Sequence, residues 1–260
     1  MKRQFNLKKI LNQPTSLSEK FHYLTKLKKK GLGFNPKNKP ESWKKNFYKG
    51  YSRFKETRLP VPSLPAITIE KALINRKSSR KFGKKPITID QLSSLLYFSA
   101  GLRSNQTSSW ITDRFYPSGG ARYPLETYII SLNMKELPRG LYHYYLRTHS
   151  LEHLMLFDSF DYLQYFKDKW IQKSSCLIII TAVFKRTTVK YKNRGYRYIL
   201  IETGHLSQNI YLNASVLNIG CCACGGFVDD QLNNFLDIDG VNEATLYVLG
   251  IGSKLSDSKL

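Results

Sequence analysis

Residues 190–227 read KYKNRGYRYILIETGHLSQNIYLNASVLNIGCCACGGF. Beyond a cation-rich opening, Ile199, Thr203, Leu206, Ile210, Ala214 and Leu217 recur at spacings of 4, 3, 4, 4 and 3, one stripe of a helix near 195–218. Glu202, His205, Asn209 and Asn213 make a second, polar stripe at spacings of 3, 4 and 4. A helix apolar over much of its circumference is buried, so these polar groups need partners inside the protein or across a subunit interface. His205 reads as a hydrogen-bonded core histidine. CCACGGF then reads as a buried strand, and the stretch becomes a helix and strand at the centre of a layered domain.

Upstream, the run CLIIITAVF at 176–184 is a strand preceded by a helix near 158–170. GLYHYYLRTHSLEHLML at 140–156 alternates around a polar turn, which predicts a hairpin. ETYIISL is a strand, YPSGGARYP a Gly-Pro loop, and ITIDQLSSLLYFSAGL a helix with Thr88 or Asp90 near its cap and Gly101 at its end. Downstream come a short helix, DDQLNNFL, and a strand, ATLYVLGIG. This order predicts an α+β domain over 63–260, with helices flanking a mixed sheet. Residues 1–62 read as a small basic appendage and linker. SLSEKFHYLTKLKK forms a short helix capped at Ser16 or Ser18 and broken by Gly31, Gly33, Pro36 and Pro40. Three prolines in RLPVPSLP favour an extended crossing at 58–65.

The 260 residues, 42% hydrophobic with 17 Tyr and 14 Phe, suffice for a substantial core. No apolar run approaches the roughly 20 residues that cross a bilayer, and MKRQFNLKKILNQP lacks the apolar segment of a secretory signal. Cys176, Cys221, Cys222 and Cys224 read as thiols of buried strands, with no matching zinc half-site; few cysteines and no signal favour the cytoplasm. Net charge is +22, and residues 1–59 hold 17 Lys+Arg against 3 Asp+Glu. Such a segment suits nucleic acid, a membrane surface or an acidic protein partner, and a solvated Lys-rich surface has the same composition. Nucleic acid is not expected, because no aromatic platform or binding module accompanies the charge.

Two further clusters carry chemistry. In NRKSSRKF, Arg76, Ser78 and Arg80 alternate, so an extended segment points two guanidinium groups and a hydroxyl one way, a set suited to phosphate. In FYPSGGARYPLE, Gly119 and Gly120 allow close approach of a flat ligand, while Ser118 and the loop amides donate to it. The strand-turn-helix GxGxxG pattern is missing, so a Rossmann site is not indicated.

Taken in order, RxSxR, PSGGARYPLE, KYKNRGYRYILIETGHLSQN, CCACGGF and LYVLGIG resemble the SagB-type dehydrogenases, the azoline-oxidase branch of the FMN-dependent nitroreductase superfamily. FHYLTKL and YKGYSRF resemble that branch's N-terminal region. The resemblance implies a nitroreductase-like fold, a homodimer with flavin sites between subunits, and FMN held at its phosphate by Arg76, Ser78 and Arg80. Ser118, Gly119 and Gly120 would line the isoalloxazine, with Gly225 and Gly226 near its other side. Lys190 and Tyr191 would be catalytic. The substrate would be a ribosomally made precursor peptide whose thiazolines or oxazolines, made by a cyclodehydratase partner, are oxidised to thiazoles or oxazoles. A nitroreductase-like flavoenzyme with another small or peptidyl substrate is the alternative. Aromatising an azoline removes a proton and a hydride, so the site needs a base opposite a hydride acceptor. Neighbouring residues do not share a helix face, so a joint role for Lys190 and Tyr191 predicts that both lie in a loop before the long helix.

Overall fold

The computed structural model describes residues 16–27, 40–44, 48–103, 113–159 and 161–255. Seven strands form one sheet: β1 (Glu56–Arg58), β2 (Leu125–Ser131), β3 (Gly140–Tyr145), β4 (Ser150–Leu156), β5 (Cys176–Val183), β6 (Ile219–Cys224) and β7 (Glu243–Ser253), in the order β1-β4-β3-β2-β5-β7-β6. All six strand pairings are antiparallel. The parallel component of the expected mixed sheet is an isolated bridge between Ser78 and Cys221, at the free edge of β6. β5 runs through the centre because CLIIITAV is apolar on both sides. Its Cys176, Ile178, Ile180 and Ala182 join one core, and Leu177 and Ile179 join the other.

The first face packs under α4 (Ile89–Ala100) and α6 (Asn193–Val216), through Leu92, Leu95, Leu96, Ile199, Leu206 and Ile210. Thr88 caps α4 with a capping box shared with Gln91, and Gly101 ends it. α3 (Ile69–Asn75) lies against α6, and α5 (Lys185–Tyr191) precedes it. The second face packs under α7 (Asp229–Phe235), Phe166 and Ile171. Where a helix is expected near 158–170, the chain instead makes two 3-10 turns, Tyr162–Tyr165 and Lys169–Lys173. Tertiary pairing overrides the helix: Phe166 bridges to Phe227, and Lys167 N–H donates to Gly226 O at 3.0 Å.

Toward one end, the second face is polar and is covered by the segment that carries Lys49 and Tyr51. Lys49 Nζ donates to Glu243 Oε2 and to Tyr128 Oη, each at 2.6 Å, and Tyr51 N–H donates to Glu152 Oε1 at 2.6 Å. β1 then pairs with β4, so contacts across the sheet join both sides of the expected boundary after residue 62. Farther upstream, α1 (Leu17–Leu24) is capped by Ser16 in a capping box with Glu19, and α2 (Glu41–Lys44) is a single turn. Gly31, Gly33 and Pro36 lie outside the described residues.

Candidate active site

Lys190 and Tyr191 form the last turn of α5 rather than a loop. One residue separates the two helices: Lys192, at φ +48° and ψ −139°, turns the chain before α6 begins at Asn193. Gly195 eases this corner, since a Cβ there would crowd Thr188 Cα at 3.1 Å. Lys190 and Tyr191 nevertheless meet through side-chain length. Lys190 Nζ lies 5.1 Å from the centroid of the Tyr191 ring, and both groups reach Gly120.

Gly120 occupies the left-handed region at φ +65°, and a Cβ there would collide with Tyr191 Oη and stand 2.8 Å from Lys190 Nζ. The Ser118–Gly119–Gly120 loop is thus closed against the α5 corner. Glu202 braces it from α6, its Oε1 accepting Gly119 N–H at 2.9 Å. Ser118 Oγ accepts Tyr123 N–H at 2.8 Å. Burial pushes the Glu202 carboxyl up to about 7, against the opposing pull of Gly119 N–H, Ser118 and Arg114. Tyr198 meets Tyr191 edge to face at 4.9 Å. Beside them is an open pocket of about 300 Å³ lined by Ser118, Gly119, Tyr198, Ile201, Glu202 and His205. His205, expected in the core, is exposed on this chain because its position on α6 faces outward.

Arg76, Ser78 and Arg80 gather elsewhere, along the edge of β6. Ser79 N–H donates to Cys221 O at 2.9 Å, and the hydroxyls of Ser78 and Tyr211 are 3.2 Å apart. The Arg76 guanidinium lies 5.8 Å from the centroid of the Tyr211 ring, and Arg80 acts electrostatically on Cys222. Gly225 and Gly226 follow β6, where a Cβ would meet its nearest atoms at ordinary contact distances of 3.9 Å and 3.6 Å. Within this chain, packing does not demand glycine at either position. Glu202 and Tyr211 are nine residues apart on α6, about half a turn out of phase and about 14 Å along the axis. The two half-sites therefore lie on opposite sides of one helix.

Several contributors carry no local sequence signal. Trp43 places its ring 5.5 Å from Lys190 Nζ, and Arg122 holds that segment by donating to Trp43 O at 2.7 Å and Ser42 O at 3.1 Å. Arg194 and Arg197 are absorbed by α1, donating to Thr25 and, for Arg197, also to His22 O, while Phe21 packs on Tyr196. Glu202 had a partial signal as a member of the polar stripe. The four cysteines are free and buried, and burial pushes the Cys176 thiol up to about 12. Among the described residues, no His, Cys, Asp and Glu cluster could hold a metal, and no helix is long and apolar enough to cross a membrane.

The family model described as Nitroreductase family matches residues 73–253. MJ1384 of Methanocaldococcus jannaschii, which carries a nitroreductase name, is 31% identical over 199 residues, covering 76% of this chain and 96% of its own. The microcin B17-processing protein McbC of Escherichia coli is 29% identical over 154 residues, 56% of this chain and 57% of McbC. A chain of the solved E. coli microcin synthetase McbBCD complex, with truncated pro-MccB17 bound, matches at TM-score 0.60 and 24% identity, covering 76% of this chain and 77% of that one. A solved structure from Anabaena variabilis, also under a nitroreductase name, matches at TM-score 0.71 and 29% identity, over 91% of this chain and 46% of that one.

Proposed function

Because the chain belongs to the nitroreductase family, we propose that it is an FMN-dependent oxidoreductase that dehydrogenates thiazolines or oxazolines in a ribosomally made peptide to thiazoles or oxazoles. The observation that carries this reading is the convergence of Lys190 Nζ and Tyr191 Oη on Gly120, within the loop suited to a flat ring. FMN, when bound, supplies the hydride acceptor. Lys190 then takes the proton from the azoline ring carbon, and the Tyr191 hydroxyl orients or relays it. Arg76, Ser78 and Arg80 hold the phosphate through charge-assisted hydrogen bonds. Ser118, Gly119 and Gly120 line one side of the ring, and Gly225 and Gly226 lie near the other.

The opposite placement of the half-sites on α6 supports a homodimer in which each flavin is shared between chains. The exposed Leu200 and Ile201, at 43% and 54%, supply apolar surface on that helix for such an interface. A cyclodehydratase partner and a precursor peptide are the further partners of this reading, supported by the likeness to McbC and to a chain of the McbBCD complex. The basic N-terminal segment, including α1, is the docking element for an acidic leader or for that partner.

A second reading is favoured by the match to MJ1384 along nearly its full length: a nitroreductase-like flavoenzyme acting on another substrate. Brisk nicotinamide-driven reduction of nitroaromatics would support that reading. The visible spectrum of the purified protein tests the shared premise, since flavin bands are expected. Lys190→Ala is expected to keep the yellow colour and lose azole formation on a matched peptide. Normal azole product from that variant rejects the assignment.

A further inference from the structure

One buried acid beside the glycine loop has no part in the chemistry above. Glu202 is 2% exposed, and while Oε1 holds Gly119 N–H, Oε2 is shielded from solvent and has no hydrogen-bond partner. The groups facing it favour its charged form but do not outweigh burial. Arg114 spends its N–H groups on Tyr116 Oη at 3.2 Å and Leu125 O at 3.3 Å, Tyr116 is neutral, and Ser118, which accepts Tyr123 N–H, keeps its O–H for Glu202. On its own helix, Tyr198 and the exposed His205 line the same pocket. Lys190 and Tyr191 stand beyond Gly120.

We propose that Glu202 is a positioning residue that works in its proton-carrying form, holding the Ser118–Gly119–Gly120 loop against Lys190 and Tyr191. With the proton in place, Oε1 serves Gly119 and no charge faces the pocket. Without it, a charge sits on a carboxyl whose Oε2 is shielded from solvent, a burial that its neighbours do not offset, which favours opening the loop to admit water. Opening draws Gly120 away from the two side chains packed on it. A negative charge here also opposes a ring that gains negative charge as it accepts a hydride, and in that respect the inference rests on the flavin reading. Because the carboxyl is lifted to about 7, both effects set in just above neutral pH.

The test follows azole formation against pH in wild type, Glu202→Gln and Glu202→Ala, with melting temperatures to confirm folding. Wild-type kcat is expected to fall about tenfold per pH unit on the alkaline side of the Glu202 titration. Glu202→Gln, which keeps an acceptor for Gly119 but cannot ionise, is expected to lose that limb. Glu202→Ala is expected to lower kcat about tenfold with KM little changed, a loss that glutamine largely restores. The pH dependence of the bound flavin's midpoint potential is expected to bend at the same titration in wild type and not in Glu202→Gln. In flavin-free protein labelled with 15N-glycine, the Gly119 amide resonance is expected to titrate near neutrality in wild type and to stay fixed in Glu202→Gln. An alkaline limb preserved in Glu202→Gln, or a Gly119 resonance that does not titrate, overturns the inference. Failure of the flavin reading would show as a colourless protein in which Gly119 still titrates.

Discussion

Replacing Glu126 with glutamine cuts a buried chain of charge that anchors the helix bearing Lys190. Arg186 lies four residues before Lys190 on α5 and is 6% exposed. Its guanidinium is paired with the Glu126 carboxylate and donates to Tyr123 O at 3.3 Å. Glu126 Oε2 lies 3.3 Å from His143 Nε2, and His143 Nδ1 lies 2.7 Å from Glu152 Oε2. Burial alone would raise the Glu126 carboxyl. Arg186, followed by His143, outweighs burial and holds the carboxyl at about 2 against its ordinary 4.5. That displacement corresponds to about 3 kcal/mol in favour of the ionised form in the fold. Glutamine keeps the shape but leaves Arg186 charged where water does not reach, an arrangement that costs about 3–5 kcal/mol. Thermal unfolding followed by circular dichroism at neutral pH should show a melting temperature lower by roughly 10 °C. The double variant Glu126→Gln with Arg186→Met should recover most of the loss, because a neutral pair of similar volume leaves no orphan charge. A loss below about 1 kcal/mol in Glu126→Gln would refute the reasoning, as would a double variant whose loss equals the two single losses added.

The same network sets a pH dependence of stability. Because the folded Glu126 carboxyl titrates below its ordinary 4.5, its contribution is present above that value and is lost as pH falls through about 2. Burial would depress His143, but the bonds to Glu126 and Glu152 outweigh it and raise it above its ordinary 6.5, so its contribution is full below 6.5 and lost as pH rises through the folded value. Melting curves across pH should therefore decline at both ends, and His143→Gln should remove the alkaline-side part. Gly120→Ala should cost about 1 kcal/mol of backbone strain and displace Lys190 and Tyr191, cutting kcat for azole formation at least about tenfold while flavin content is kept. Unchanged turnover in that variant would show that the contact at Gly120 is irrelevant. Arg197→Ala should free α1, which Arg197 holds at Thr25 Oγ1 and His22 O, so limited proteolysis should cleave within 16–27 faster. Stability of the sheet domain should change by no more than about 0.5 kcal/mol.

Local rules made much of the fold legible before any coordinates. Thr88 and Gly101 bound α4 where a capping residue and a terminal glycine predict, and the alternation of 140–156 gives the β3–β4 hairpin. The same rules failed where one residue type serves two purposes. Gly195 is of a residue type that favours loops, yet it lies inside α6, where a Cβ would crowd Thr188 Cα at 3.1 Å. The break that separates Lys190 and Tyr191 from α6 falls instead on Lys192, a residue type with no preference for positive φ. Gly120 shows the complementary limit. PSGGARYP announces a turn, and φ +65° asks for glycine at 120, but Tyr191 and Lys190, which reach it, come four strands later on α5, so the motif tells which residue is special and not what it meets. The polar network on the second face had no local signal at all. Nothing in the local sequence pairs Lys49, Glu126, His143, Glu152 and Glu243, and only the strand order β1-β4-β3-β2-β5-β7-β6 brings their carriers together. Glu202 falls between these cases. Its helical period marks it as buried, and burial of an acid demands an explanation; the partner, a glycine amide in a distant loop, follows only from the way α6 crosses that loop.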